Sequence, residues 1–127
     1  MEHPDDYKLT NDPIDVECIH HKKPHHDRLI LRISVKVENE YIPLSFICDT
    51  GSPSYLFLCQ KSIELLKPRI QESELEALYI TSNNKNILIQ ESPINHKNSN
   101  IIGLKLLFEW GLSLNNGFQL LKIPKFI

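Results

Sequence analysis

The stretch "FICDTGSPSYLF", residues 46–57, sets an aspartate inside an apolar run, turns at a glycine and becomes apolar again. A carboxylate at the end of a half-buried strand is costly unless it is hydrogen-bonded, paired or used. Asp49 is therefore either an ordinary turn residue or a chemical group, and the sequence around it decides between them. Upstream, "LILRISVKV" (29–37) alternates apolar and polar residues, placing Leu29, Leu31, Ile33, Val35 and Val37 on one face of a strand. The polar "ENE" forms a turn, and "YIPLSFICD" (41–49) is a second strand, so the two make a hairpin that delivers Asp49 to its end. Pro43 cannot donate to a ladder, which marks the start of that second strand as an edge or an irregularity.

Downstream of the turn, "YLFLC" is strand-like and "QKSIELLKP" is a short helix stopped by Pro68. Ser73 and Glu76 have capping-box spacing, which predicts a second short helix over 74–79. "LYITSNNKNILIQ" forms a hairpin about Ser82, Asn83, Asn84 and Lys85, and "PINHKNSN" is a polar loop. "IIGLKLLFEWG" predicts a helix from about Gly103 to Trp110, with Gly111 as its terminating glycine. In "LSLNNGFQLLKI", Asn116-Gly117 favours a type I′ turn between two strands.

Composition bounds the class. The 127 residues are 41% hydrophobic and 24% charged with a net charge of −2, which suits one globular domain and gives no electrostatic footprint for nucleic acid. No apolar run reaches the roughly 20 residues that a spanning helix needs. The polar start and the odd count of three cysteines point to a reduced intracellular, cytoplasmic setting without a membrane partner. Residues 1–28 hold three of the eight prolines and five of the six histidines, and are expected to be a loosely ordered N-terminal arm. Within it, Cys18, His20, His21, His25 and His26 have metal-ligating chemistry, but their spacing fits no standard finger and Lys22 and Lys23 add repulsion, so no metal and no cofactor are expected.

The pairing of Asp49-Thr50-Gly51-Ser52 with "NIIGLKLLFEWGL" (100–112) resembles the retropepsin-like, or retroviral-type, aspartic proteases. In that family a hairpin leads into Asp-Thr/Ser-Gly, and a later apolar strand ends in a glycine that opens a helix, often followed by a short hairpin. All four glycines of the chain, Gly51, Gly103, Gly111 and Gly117, fall where the family pattern uses one, and the likeness extends over about residues 28–124. The resemblance implies a mostly β fold: a retropepsin-like acid-protease half-barrel with one or two short helices and a closed β core, dimeric, occupying residues 29–127. It implies an aspartic endopeptidase whose catalytic residues are Asp49, Thr50 and Gly51. Ser52, Ile101, Ile102 and Gly103 would support the turn. The chain has one Asp-Thr-Gly only, so the second carboxylate would come from a homodimer mate, and the partners would be that mate and a peptide substrate. The family covers its substrate with a hairpin flap; if "LYITSNNKNILIQ" is that flap, Ser82, Asn83, Asn84 and Lys85 form its tip, and if it belongs to the core sheet the flap is missing or reduced. The alternative reading is therefore a catalytically weak or inactive module that keeps the fold for dimerisation or protein binding.

Overall fold

In the computed structural model, residues 3–23, 26–115 and 118–127 are described, with side chains described outside 21–27. Eight strands form one sheet in the order β1-β2-β3-β8-β4-β7-β6-β5: β1 (Glu17–Lys23), β2 (His26–Val37), β3 (Glu40–Asp49), β4 (Leu56–Leu58), β5 (Gln71–Glu72), β6 (Leu78–Ser82), β7 (Lys85–Glu91) and β8 (Asn100–Gly103). The helices are α1 (Gln60–Leu66), extended by a 3-10 turn at Lys67–Arg69, and α2 (Leu104–Glu109), and the outlying strands β9 (Leu112–Ser113) and β10 (Gln119–Leu120) pair with each other.

The β2–β3 hairpin follows from its alternation. Leu31, Ile33, Ile42, Leu44 and Phe46 are at most 2% exposed, and Val37 pairs with Glu40 across a two-residue loop in which Glu38 takes φ 57. β3 is an interior strand, yet Pro43 costs no ladder bond there, because β8 pairs only with Phe46 to Asp49. Beside Pro43 the neighbour is the N-terminal segment: its carbonyl accepts from Tyr7 N–H, and Thr10 bridges to Tyr41.

The expected closed β core is corrected: the sheet is open, with β1 and β5 as its ends. It curls far enough that Ile80 of β6 and Ile87 of β7 share one core with Ile33 and Val35 of β2. What spans the remaining gap is a side chain. The Arg69 guanidinium donates through Nη1 to the carbonyls of Lys36 (2.6 Å) and Ile127 (2.9 Å), and through Nη2 to that of Thr81 (2.7 Å). Its planar fork of donors serves three backbone carbonyls of separate segments at once.

Residues 3–15 form no loose arm. Asp6 is 7% and Arg32 5% exposed, and Arg32 Nε donates to Asp6 Oδ1 at 3.0 Å. Ser45 Oγ (2.7 Å) and His3 N–H (3.1 Å) donate to Asp6 Oδ2. Ile14 N–H donates to Ser34 Oγ at 2.9 Å. This segment covers the outer side of β2–β3, while β1 pairs with β2 along Glu17↔Arg32 to Lys23↔His26, so position 28 falls inside a strand.

The predicted helix over 74–79 is replaced by a turn. Ser73 Oγ accepts from Ala77 N–H (3.1 Å), Ser73 and Ala77 also share a backbone bond, and Glu76 lies at φ 62. The Ser-x-x-Glu spacing here closes a hairpin between β5 and β6, because a residue at positive φ cannot continue a helix and Tyr79–Ile80 pair into the sheet. The helix predicted to end at Gly111 does so: Gly111 has φ +76 and its N–H bonds the carbonyl of Phe108. The predicted turn at Asn116-Gly117 lies outside the described residues. Ile127, 1% exposed, exchanges backbone bonds with Ser34 and Lys36 along β2 beyond the reach of β1.

Replacing one partner of a buried ion pair leaves the other charged and desolvated. Asp6→Ala is expected to lower the unfolding free energy by about 3–5 kcal/mol in urea titrations, whereas Asp5→Ala, at an exposed surface pair, is expected to change it by less than about 1 kcal/mol.

Candidate active site

Asp49 ends β3, and its register partner across the parallel β3–β8 ladder is Gly103. Two segments far apart in sequence thus meet at one level of the sheet, as the resemblance implies. Asp49 Oδ1 accepts from Gly51 N–H at 2.9 Å, and Asp49's carbonyl accepts from Ser52 N–H at 3.2 Å, so the aspartate shapes its own turn. The turn is then tied down by the start of α2: Gly103 N–H donates to Tyr55 O (2.9 Å), Leu104 N–H to Ser52 O (2.7 Å) and Lys105 N–H to Ser54 O (3.3 Å).

Of the two motif glycines, Gly103 is required for space, and Gly51 sits in a tight fit beside the Asp49 side chain. A Cβ on Gly103 would sit 2.0 Å from the carbonyl oxygen of Ser54, and one on Gly51 would lie 3.2 Å from Asp49 Oδ1. Ile101 and Ile102, 4% and 0% exposed, pack beneath, while Asp49, Thr50 and Gly51 stay at the surface and Ser52 is half-buried. The predicted catalytic and supporting residues are therefore one cluster, with the acid outward and the aliphatic residues inward.

Two cavities of different chemistry flank this turn. One, of about 400 Å³, is lined by Arg28, Ile47, Cys48, Asp49, Thr50, His96 and Ile101. The other, of about 770 Å³, is mainly apolar: Leu29, Leu104, Phe108, Leu112, Leu114 and Phe118 line it with His20 and the shared Cys48 and Thr50. Phe108 and Leu114 are 63% and 73% exposed there. Arg28 and His96 carry no motif. The loop spacing gave no signal for His96, and the pairing of β8 with β3 brings its turn beside β3.

The hairpin of Ser82, Asn83, Asn84 and Lys85 lies elsewhere. Asn83 and Asn84 take φ 50 and 64, so asparagine fills the left-handed positions of its turn. Ser82 and Asn83 line a cleft of about 460 Å³ with Lys36, Glu38, Arg69 and Phe126, at the β2–β3 turn. That turn is separated from Asp49 by the ten residues of β3, about 30 Å of strand. β6–β7 is thus part of the core sheet, the second of the two arrangements open from sequence. The Ser73–Ala77 turn that joins β5 to β6 ends in the 90% exposed Leu75.

Among the described residues no three His, Cys, Asp or Glu side chains gather as a metal site. Cys18 and His20 are exposed on β1, while the side chains of His21 and His26 and the whole of His25 lie outside the described residues. No described helix is long and apolar enough to cross a membrane.

Cys48, next to Asp49, is a protonated thiol. Burial, then the neighbouring Cys18, push its pKa from 9.0 up to about 12, against a smaller downward pull from the Leu31 backbone. The Tyr7 phenol is also pushed up to about 12, by burial and by its bond with Cys59.

Two outcomes follow from this geometry. Gly103→Ala is expected to cost about 3 kcal/mol or more, seen as a lowered thermal midpoint, because a backbone carbonyl must move to admit the methyl group. A thiol held protonated by the fold favours the native state below its unfolded pKa and loses that advantage as pH rises through the folded value. Stability is therefore expected to fall between pH 9 and about 12, and less steeply in Cys48→Ala, when urea midpoints are compared across that range.

No family model, no curated protein and no solved structure matches this chain.

Proposed function

We propose that the chain is an aspartic endopeptidase of retropepsin type, working as a homodimer with Asp49 and its symmetry mate as the catalytic pair. The observation that carries this reading is the exposed Asp49 carboxylate, fixed by Gly51 N–H at 2.9 Å and seated on a parallel β3–β8 pair that ends in a glycine with no room for a side chain. A turn aspartate with no further role needs no such buttress.

One carboxylate cannot do the work alone. Two carboxyls held close together share a proton, because both cannot ionise at that distance. The ionised one takes a proton from a water as its oxygen bonds to the peptide carbonyl carbon; the protonated one donates to the carbonyl oxygen. The resulting tetrahedral carbon then expels the amine, which leaves with a proton from the pair, and the peptide C–N bond is broken. Isologous pairing brings two copies of Asp49 together only if the two-fold axis passes beside the turn. The surface available there is the apolar groove that includes Thr50, Phe108 and Leu114, a patch of the kind that protein interfaces cover. Thr50 would then face its mate across the axis.

A second reading keeps the fold for dimerisation or partner binding without efficient cleavage. It is favoured by one placement: the β6–β7 turn lies with Lys36 and Glu38 and not over Asp49, which leaves water exclusion to some other segment.

The two separate on one comparison. Wild type is expected to cleave members of a peptide library at mildly acidic pH, and Asp49→Asn to lose at least about a hundredfold of that activity while remaining a dimer by sedimentation. Equal cleavage by the two proteins would refute the protease reading. Partner binding unaffected by Asp49→Asn, with no cleavage by wild type, would favour the second.

A further inference from the structure

The polar cavity at Asp49 brings a guanidinium and a carboxylate into one cleft. Of its seven lining residues, Arg28 is a permanent cation, His96 is an imidazole and Asp49 is the one acid; Ile47, Cys48, Thr50 and Ile101 are neutral. Arg28 precedes Leu29, which pairs with Cys48, so the strand register sets it at the level of the catalytic turn. It is half-buried, and among the described residues neither it nor His96 has an ion-pair partner; those pairs are His3–Asp5, Lys8–Asp5 and Arg32–Asp6. The buried Ile101 and the half-buried Ile47 form an apolar wall beside Arg28 and His96. Such a wall lowers the local dielectric and strengthens whatever ion pair forms there.

We infer that this cleft selects extended peptides with a carboxylate side chain close to the scissile bond, Arg28 being the specificity-determining residue and His96 a second donor. The inference rests on the protease reading and adds the substrate class to it. In the dimer a singly ionised aspartate pair carries one negative charge, whereas two copies of Arg28 bring two positive charges to the same cleft, so the site retains an unmatched cation. A glutamate or aspartate side chain answers a guanidinium with paired, charge-assisted hydrogen bonds. A glutamine, leucine or lysine at that place leaves the guanidinium partly desolvated and uncompensated. Recognition of this kind discriminates as much by the penalty on wrong side chains as by attraction to the right one. Arg28 touches the substrate side chain, not the reacting atoms.

The test uses fluorescein-labelled peptide pairs identical except for Glu or Gln at each position flanking a central bond. Binding is read by anisotropy on the full chain, both wild type and Asp49→Asn, whose amide oxygen still accepts from Gly51 N–H. At one or two flanking positions the Glu peptide is expected to bind about tenfold tighter than its Gln counterpart. Arg28→Gln is expected to abolish the difference, and Arg28→Glu to turn it toward Lys peptides. Equal binding of Glu and Gln peptides at every position, or no binding of any of them, overturns the inference. So does conversion of Arg28→Gln to a monomer in sedimentation, which would assign the guanidinium to the partner copy instead of the substrate. A Glu preference in binding without cleavage by wild type leaves the recognition standing and removes the protease reading, so the two fail separately.

Discussion

The insertion of β8 between β3 and β4 is the contact on which the rest of this structure depends. β8 runs parallel to β3 and antiparallel to β4, and it brings Gly103 so close to the loop after Asp49 that only a hydrogen fits against the carbonyl of Ser54. That approach lets Gly103, Leu104 and Lys105 donate to Tyr55, Ser52 and Ser54. The Asp49 turn is thereby fixed by backbone bonds at both ends, and its carboxylate is left exposed without being mobile in the chain. A rigid element fixes the position of a side chain it carries; here a sheet interior does so for Asp49.

Charged groups organise the periphery in a way hydrophobic burial does not. Asp6 and Arg32 attach the N-terminal segment to the outer side of β2–β3, and Arg69 spans the open gap of the curled sheet with three bonds to carbonyls. The Asp6–Arg32 pair is specific because a buried charge tolerates few geometries; the half-buried Arg69 is held by its three carbonyl acceptors. The Arg69 bonds and the returning Ile127 link β2 to β6 across the open side of the curled sheet, where no ladder runs.

The surface around Asp49 is divided in its chemistry. Cys48 and Thr50 line both flanking cavities, one apolar and one bearing Arg28 and His96. The protonated Cys48 thiol, its pKa pushed up to about 12, adds no charge at the boundary between them.

Much of this was legible in the sequence, because local patterns act through local physics. The alternation in 29–37 and 41–49 fixed the hairpin, Asn83-Asn84 its companion turn, and Gly111 the end of α2. Asp49 and Gly103 were recognisable because an aspartate ending an apolar strand and a glycine opening a helix are each conspicuous. Other features depended on contacts that composition hides. The polar residues of the N-terminal segment look solvated until Asp6 meets Arg32; Ser73 and Glu76 look like a helix start until β6 claims the residues after them. The place of the 82–85 turn, at the far end of β3 from Asp49, and the arrival of Arg28 and His96 beside Asp49 were decided by how the strands pair across the sheet. Sequence determined the β2–β3 and β6–β7 hairpins and the end of α2, since those follow from spacing and backbone preference. Tertiary structure decided which charges are paired and which face the cleft, since that depends on distances between residues that no local pattern encodes.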